Sequence, residues 1–445
     1  AARAYLRALT GDAEAERRDA FLRHAPELVA RLESDPALAF EWRAFPDYVA
    51  APGRMDAGRS FVPLDLAPGE LGELLPLVRP AVDRDRAGLG HPEAPLTAGR
   101  ALIGRLLLAA TRTGHAHIRT GHRVTGLVTE DGRVTGVEAL TAGGTVRVRA
   151  RRGVLLAAGG FEGDDAWRAE HRVPGGAAWS MAPRGTNTGE VLRAAVACGA
   201  TTALMDEAWW CPGTELPDGG AAFTLGLRGG LMVDATGRRF ANESLPYDRM
   251  GRALAAAQEA GPYAYLVFDS RGGGALPAIT VPPTDPAEHL AAGTWVRAQT
   301  LPELAGLLGV PAEVLTDTVT RFNGFAATGT DEDHHRGEDP YDLFFADTEN
   351  APGPNPCLVP LDRAPYYAAR LVLSDLGTKG GLRTDAHARV LGAEDRPLTG
   401  LYATGNTSAS FTGRVYPGPG VPIGTAMVFA SLAVRHMAAQ PAPAA

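Results

Sequence analysis

Apolar residues recur along this chain with two different periods, and the switches between them lay out the elements. At the N-terminus the spacing is helical. Tyr5, Leu6 and Leu9 form one apolar cluster, Thr10-Gly11-Asp12 punctuates it, and Phe21, Leu22, Leu28, Val29 and Leu32 form a second face, which predicts one or two helices over residues 1–33. Thr97 to Thr113 predicts an amphipathic helix ended by Gly114. A period of two then takes over: His117-Ile118-Arg119 begins a strand, residues 124–140 alternate around Asp131-Gly132 as a hairpin, and Thr145 to Arg149 alternates again. Residues 153–162, GVLLAAGGFE, drop the alternation and predict a fully apolar strand of the kind buried in a parallel sheet. It stops in Gly159-Gly160, where bare backbone lets a cofactor come close, although glycines end strands for many reasons.

The later elements follow the same logic. Asn187-Thr188-Gly189 caps a helix over Glu190 to Ala197, and residues 205–213 bring Trp209 and Trp210 into a loop, expected to serve packing. Residues 230–254 predict a strand, an Ala-Thr-Gly turn and a second strand running into NESLPYD; residues 263–269 and 366–375 predict strands, and residues 301–329 two helices broken at Gly-Val-Pro. Residues 40–63 are aromatic and then rich in Pro and Gly, so an irregular segment presenting Tyr48 is expected; residues 64–96 are loop-rich, with a helical piece from Leu71 to Val78. From Gly400 to Met427 a strand end, a Gly405-Asn406 turn, a loop over Val415 to Gly420 and a helix start near Ile423 run together. That helix turns an apolar face of Met427, Val428, Leu432 and Val434 inward. Such a loop aims backbone N–H groups and a positive helix end at whatever sits before it, which suits an electron-rich ring or an oxyanion.

Composition narrows the function classes. At 445 residues the length fits about three domains of roughly 150 residues or a discontinuous two-domain enzyme. A formal charge of -8 argues against a nucleic-acid partner, and no apolar run approaches the roughly 18 residues of a membrane span, so no transmembrane segment is expected. Cys198, Cys211 and Cys357 are odd in number and far apart. That fits a reducing compartment, hence a cytoplasmic location, and neither a disulfide framework nor a zinc site. His334 and His335 lie among carboxylates in residues 330–342, but sequence neighbours face different ways, so a solvated loop and no metal are expected. Lys379 is the only lysine among 43 basic residues, and it sits in the glycine-flanked stretch LGTKGGL. The QPAPAA end reads as a frayed tail. The chain also opens without Met, inside a helical pattern, as though its beginning were missing.

NPCLVPLDRAPYYA (355–368), LGTKGGLRTD (376–385), GLYATGNTSAS (400–410) and GRVYPGPG (413–420), with ANESLPYD (241–248) upstream, together resemble the flavin-dependent 3-ketosteroid Δ1-dehydrogenases of the fumarate-reductase-like FAD family. The resemblance covers nearly the whole chain and is most specific over residues 355–427. It implies an α/β fold, α+β in the second domain: a discontinuous, Rossmann-like FAD-binding domain (1–206 and 380–445) with a smaller catalytic domain (207–379) inserted, and a steroid between them. By the same resemblance Tyr416 and the Gly420 N–H polarise the substrate ketone and Tyr247 takes the C2 proton. Tyr48 donates a hydrogen bond to Tyr247, and flavin N5 receives the C1 hydride. Gly159, Gly160, Lys379, Gly380, Gly405, Asn406, Pro422 and Ile423 are the expected cofactor residues; the partner is an apolar, steroid-like ketone, and the electron acceptor stays open.

One departure is plain. The family begins with a GxGxxG loop for the ADP half of FAD, and none occurs here; the best fragment, Gly88-Leu89-Gly90-His91, lies outside any strand-helix junction. Either that segment has been lost ahead of Ala1, the favoured reading, or this is a natural variant with weakened FAD binding. Two other functions stay in view: a related flavin enzyme acting on another cyclic ketone or enone, and a non-catalytic flavoprotein remnant. A fumarate-type reductase would need cationic groups where these loops carry tyrosine.

Overall fold

The apolar strand Val154–Leu156 finds its partner near the other end of the chain: Leu401, Tyr402 and Ala403 of the strand Pro397–Ala403 pair with it in parallel register. Arg389–Leu391 pairs antiparallel on the far side of Pro397–Ala403. The computed structural model describes residues 1–261, 263–346, 348 and 353–440; the tail from Pro441 onward, where fraying was expected, lies outside them. The chain separates into two units, Ala1–Phe161 with Asn187–Glu207 and Thr378–Ala445, and Glu162–Thr186 with Ala208–Gly377.

In the first unit the C-terminal helix Val421–Ala439 buries Val428, Phe429, Leu432 and Ala433 in a cluster with Tyr5, Leu6, Tyr402 and Phe411. The N-terminal helices Ala2–Thr10 and Ala15–Glu33 add Leu9, Phe21, Leu22 and Leu28 to it, as their spacing predicts. Val434, expected on that face, is 57% exposed. Two residues past Leu432 on a helix lies nearly the opposite side. By length and composition alone this helix is long and apolar enough to cross a membrane; its apolar character is spread over Ala, Val, Met and Gly, and its inner face packs on the unit's core. The hairpin Arg123–Glu130 and Arg133–Thr141 turns at Asp131 and Gly132, both with positive φ (48° and 74°), the type I′ geometry that matches strand twist. Two expectations need correcting. Residues 117–119 form no strand, pairing starting at Arg123. Residues 40–63 are not wholly irregular, because Phe40–Arg43 pairs antiparallel with Ser60–Pro63. Four-residue strands around a Pro- and Gly-rich loop leave too short a pattern to read.

The second unit is built on a seven-stranded sheet. Its order is Leu231–Val233, Ala264–Phe268, Tyr366–Thr378, Ala208–Glu215, Ala221–Leu225 and Ile279–Val281, with Trp295–Ala298 also pairing with Tyr366–Thr378. Residues 205–213, expected as a loop, contribute most of a strand instead, and Trp209 and Trp210 are both buried in it. A strand covered on both faces loses the alternation that would announce it. The second strand expected to run into NESLPYD is only a bridge between Val233 and Arg239. Leu301–Leu308 and Ala312–Thr328 are the predicted helix pair, the first opened by a capping box between Thr300 and Glu303. Residues 162–186 join this unit through a buried ion pair, Arg168 to Asp375 at 2.8 Å, and through Ser180 Oγ, which donates to the same carboxylate at 2.7 Å.

Candidate active site

Within the first unit, the two parallel strands end side by side and each runs into glycine. Thr407 Oγ1 donates to the Gly159 carbonyl at 2.8 Å and accepts from Ala158 N at 3.0 Å, which brings Gly159-Gly160 and Gly405-Asn406 together. Gly159 has φ +80°, and a Cβ there would stand 2.8 Å from the Asn187 side chain, so only glycine fits. Thr404 Oγ1 ties the second turn to the C-terminal helix by donating to the Ala426 carbonyl at 2.8 Å. In parallel α/β sheets this is the end at which ligands bind.

That helix opens at Gly420, left-handed with φ 76° and ψ -4°, and Pro422 sits in its first turn. Val421 and Ile423 therefore present N–H groups with no acceptor inside the helix. The space before them is open: nothing lies within 4 Å of a Cβ built at Gly420 or Gly424, and Ile423 is 52% exposed. The helix begins at Val421, two residues earlier than its spacing suggested, because Pro at the first turn costs no hydrogen bond.

Tyr416 lies just upstream, buried, on a loop held from both sides. The Val415 carbonyl accepts from Lys379 Nζ at 2.7 Å and from Thr412 Oγ1 at 2.8 Å. The Pro417 carbonyl accepts from Tyr5 Oη at 2.6 Å and from Tyr48 N at 2.9 Å. Tyr48 and Tyr416 are thus neighbours. Lys379 is buried, with its own N–H on the Glu207 carbonyl at 2.8 Å, and a Cβ on Gly380 would fall 2.2 Å from the Leu204 carbonyl oxygen. Arg414 reaches Asp206 at 2.5 Å and also pairs with Glu207.

Several supports were not anticipated from sequence. Asp47 takes Arg59 through both carboxylate oxygens, at 3.3 and 2.5 Å, and the Met55 N–H at 3.0 Å, holding the segment that carries Tyr48. Tyr5 reads as an ordinary core aromatic; its hydroxyl also accepts from Val49 N at 3.1 Å, and burial pushes its pKa up to about 12, so it remains a donor. Arg17, also buried, donates to the Ala409 carbonyl at 2.8 Å.

Tyr247 belongs to the second unit. It is the first residue of the helix Tyr247–Ala257, with Pro246 as N-cap, and its buried ring meets Phe223 edge-on with centroids 5.0 Å apart. The preceding NES residues are locked. Glu243 takes Arg239 at 2.8 Å, Arg336 at 3.0 Å and the Met232 N–H at 3.0 Å, while Asn242 Nδ2 donates to Asp342 at 2.9 Å and Arg336 Nε to Ser244 Oγ at 3.0 Å. Arg239 also pairs with Asp331 at 2.8 Å. Asp331 and Arg336 come from the acidic stretch expected to be a solvated loop, yet both are fully buried; Glu332, Asp333, His335 and its partner Glu338, 3.0 Å away, are exposed as expected. Burial alone would raise the Glu243 pKa, but Arg239 and Arg336 outweigh it and the carboxyl is held below its ordinary value.

The first unit's residues fit a flavin on this geometry: two glycine turns at parallel strand ends, and a 19-residue helix whose N-terminus faces open space. Comparison with known proteins agrees. The family model for an FAD binding domain matches residues 1–423. The chain is 40% identical over 450 residues to the 3-oxosteroid 1-dehydrogenase of Rhodococcus opacus, covering 98% of this chain and 86% of that one. It is 36% identical to the 4-oxocyclohexanecarboxylate 2-dehydrogenase of Sinomonas cyclohexanicum, covering 99% and 82%. The crystal structure of 3-ketosteroid Δ1-dehydrogenase from Sterolibacterium denitrificans in complex with 1,4-androstadiene-3,17-dione matches with a TM-score of 0.89 at 31% identity, over 98% of this chain and 88% of that one.

Proposed function

Since the chain belongs to the FAD-binding family and, within it, to the 3-oxosteroid 1-dehydrogenases, and is an FAD-dependent oxidoreductase acting on CH–CH bonds, we propose that it removes one hydrogen each from C1 and C2 of a 3-ketosteroid. One observation carries the reading: a single short loop holds a buried tyrosine, Tyr416, clamped at both flanking carbonyls, and runs straight into the open helix start at Gly420.

Tyr416 Oη and Gly420 N–H donate to the ketone oxygen. Charge drawn onto that oxygen acidifies the adjacent C2–H, and a donor of this kind contributes roughly 3 kcal/mol in the transition state. Tyr247 Oη accepts the C2 proton. A free tyrosine titrates near about 10, so its anion needs support, the part assigned to the Tyr48 hydroxyl. Gly159, Gly160, the Lys379-Gly380 turn, Gly405, Asn406, Pro422 and Ile423 hold the cofactor. Bound FAD supplies the acceptor for the hydride that leaves C1.

The test is to load the protein with FAD, add a 3-ketosteroid and an artificial electron acceptor, and look for a product lacking two hydrogens, with a new 1,2 double bond. The Sinomonas relative, whose name specifies a small cyclic ketone acid, motivates the second arm. If 4-oxocyclohexanecarboxylate is turned over while a panel of 3-ketosteroids is left unchanged, the substrate assignment is overturned and the smaller ketone takes its place.

A further inference from the structure

We propose that Tyr5 and Lys379 are positioning residues that set where the Tyr416 hydroxyl sits, by clamping the backbone carbonyls of the residues before and after it. The inference rests on the role given to Tyr416 above. A carbonyl oxygen has two lone pairs, and both flanking carbonyls are saturated: Val415 by Lys379 Nζ and Thr412 Oγ1, at 2.7 and 2.8 Å, and Pro417 by Tyr5 Oη and Tyr48 N, at 2.6 and 2.9 Å. The Val415 carbonyl belongs to the planar peptide group that enters Tyr416, and the Pro417 carbonyl lies one peptide group beyond the one that leaves it, joined through a proline whose ring fixes its φ, so holding both restrains the backbone of Tyr416 and the direction of its Cα–Cβ bond. Its hydroxyl lies at the end of a long rigid ring, where a small backbone rotation becomes a large displacement.

The two clamps do more than fill space. Tyr5 Oη bridges the Pro417 carbonyl and the Val49 N–H, so one hydroxyl joins the loop of Tyr416 to the loop of Tyr48. The Arg59 guanidinium, itself held by Asp47, lies 5.5 Å from the centre of the Tyr5 ring and steadies it. Lys379 is 1% exposed, and burying an ammonium is costly where an apolar chain of the same length would not be. Its contribution is therefore directional, a charged hydrogen bond aimed at the residue before Tyr416.

Tyr5→Phe keeps the ring and removes the clamp. In the FAD-loaded enzyme kcat is expected to fall about 10-fold with KM little changed, the signature of a misplaced transition-state donor. Independently of turnover, equilibrium titration with a 3-ketosteroid and its 3-deoxy analogue reads the preference for the ketone, which Tyr5→Phe should reduce. Lys379→Met provides the second clamp variant. The decisive comparison is Tyr5→Phe in a Tyr416→Phe background, where neither kcat nor ketone preference should drop further. If Tyr5→Phe and Lys379→Met leave both quantities unchanged, or cost the same factor with and without the Tyr416 hydroxyl, the positioning role is overturned. If Tyr416→Phe alone retains turnover and ketone preference, the function assigned to Tyr416 fails instead, and the clamp loses its purpose.

Discussion

The ring of Tyr48 meets the ring of Tyr416 edge-on, centroids 5.2 Å apart at an interplanar angle of 65°, so the two tyrosines drawn from opposite ends of the chain form one aromatic contact. The Phe45 ring lies beyond Tyr48 at 6.1 Å. Tyr48→Phe preserves this packing and deletes only the hydroxyl. If that hydroxyl supports the anion of the base, turnover should fall at least 10-fold, and the ascending limb of the kcat/KM profile should move to higher pH, because losing a donor raises the base's pKa. An unshifted limb with full turnover would leave Tyr48 as a packing residue only.

Tyr416→Phe and Tyr247→Phe should each lower kcat by about 100- to 1,000-fold, as expected for a lost oxyanion donor and a lost base. FAD absorbance, measured on the same preparations, should be retained in both. A variant that keeps its flavin and its turnover removes that residue from the mechanism.

Gly251 sits in the helix that Tyr247 opens, and a Cβ there would stand 2.8 Å from the Cys211 backbone nitrogen and 2.8 Å from Trp210 Cβ. Neither neighbour is a flexible chain end, so the helix must shift away from its strand. Gly251→Ala is expected to destabilise the protein by about 1–3 kcal/mol, read as a lower denaturation midpoint. Activity should fall with it, since Tyr247 moves with the helix.

The buried cluster of Arg239, Glu243, Asp331 and Arg336 predicts acid sensitivity. Burial works to raise both carboxyls, but Arg239 and Arg336 hold Glu243 below its ordinary value, and Arg239 with backbone N–H groups does the same for Asp331. A group whose folded pKa is depressed stabilises fully above its unfolded value, about 4.3 for Glu and 3.9 for Asp, and that stabilisation is lost as pH falls through the folded value. Denaturant unfolding repeated from pH 6 downward should show this loss. Glu243→Gln should flatten the acid response while costing about 3–5 kcal/mol at neutral pH, because the Arg336 guanidinium loses its buried counter-charge and Arg239 keeps only Asp331.

Local order was legible in the sequence wherever neighbours in the chain decide it. Asp131-Gly132 marked the hairpin, the Gly159-Gly160 strand end and the Gly405-Asn406 turn were visible, and the C-terminal helix start was placed within two residues. The family motifs also singled out Tyr247 and Tyr416. Only the tertiary structure decided which of these features meet. Tyr5 and Pro417 are 412 residues apart, and nothing near Tyr5 announces the partner of its hydroxyl. Ala208–Glu215 is a central strand of its sheet and is buried on both faces, which erases its alternation. Asp331 and Arg336 were buried because Arg239 and Glu243, distant in sequence, neutralise them. Periodicity and turn chemistry are local and can be read along the chain, whereas burial of a charge and the second partner of a hydrogen bond are set by segments that folding alone brings together.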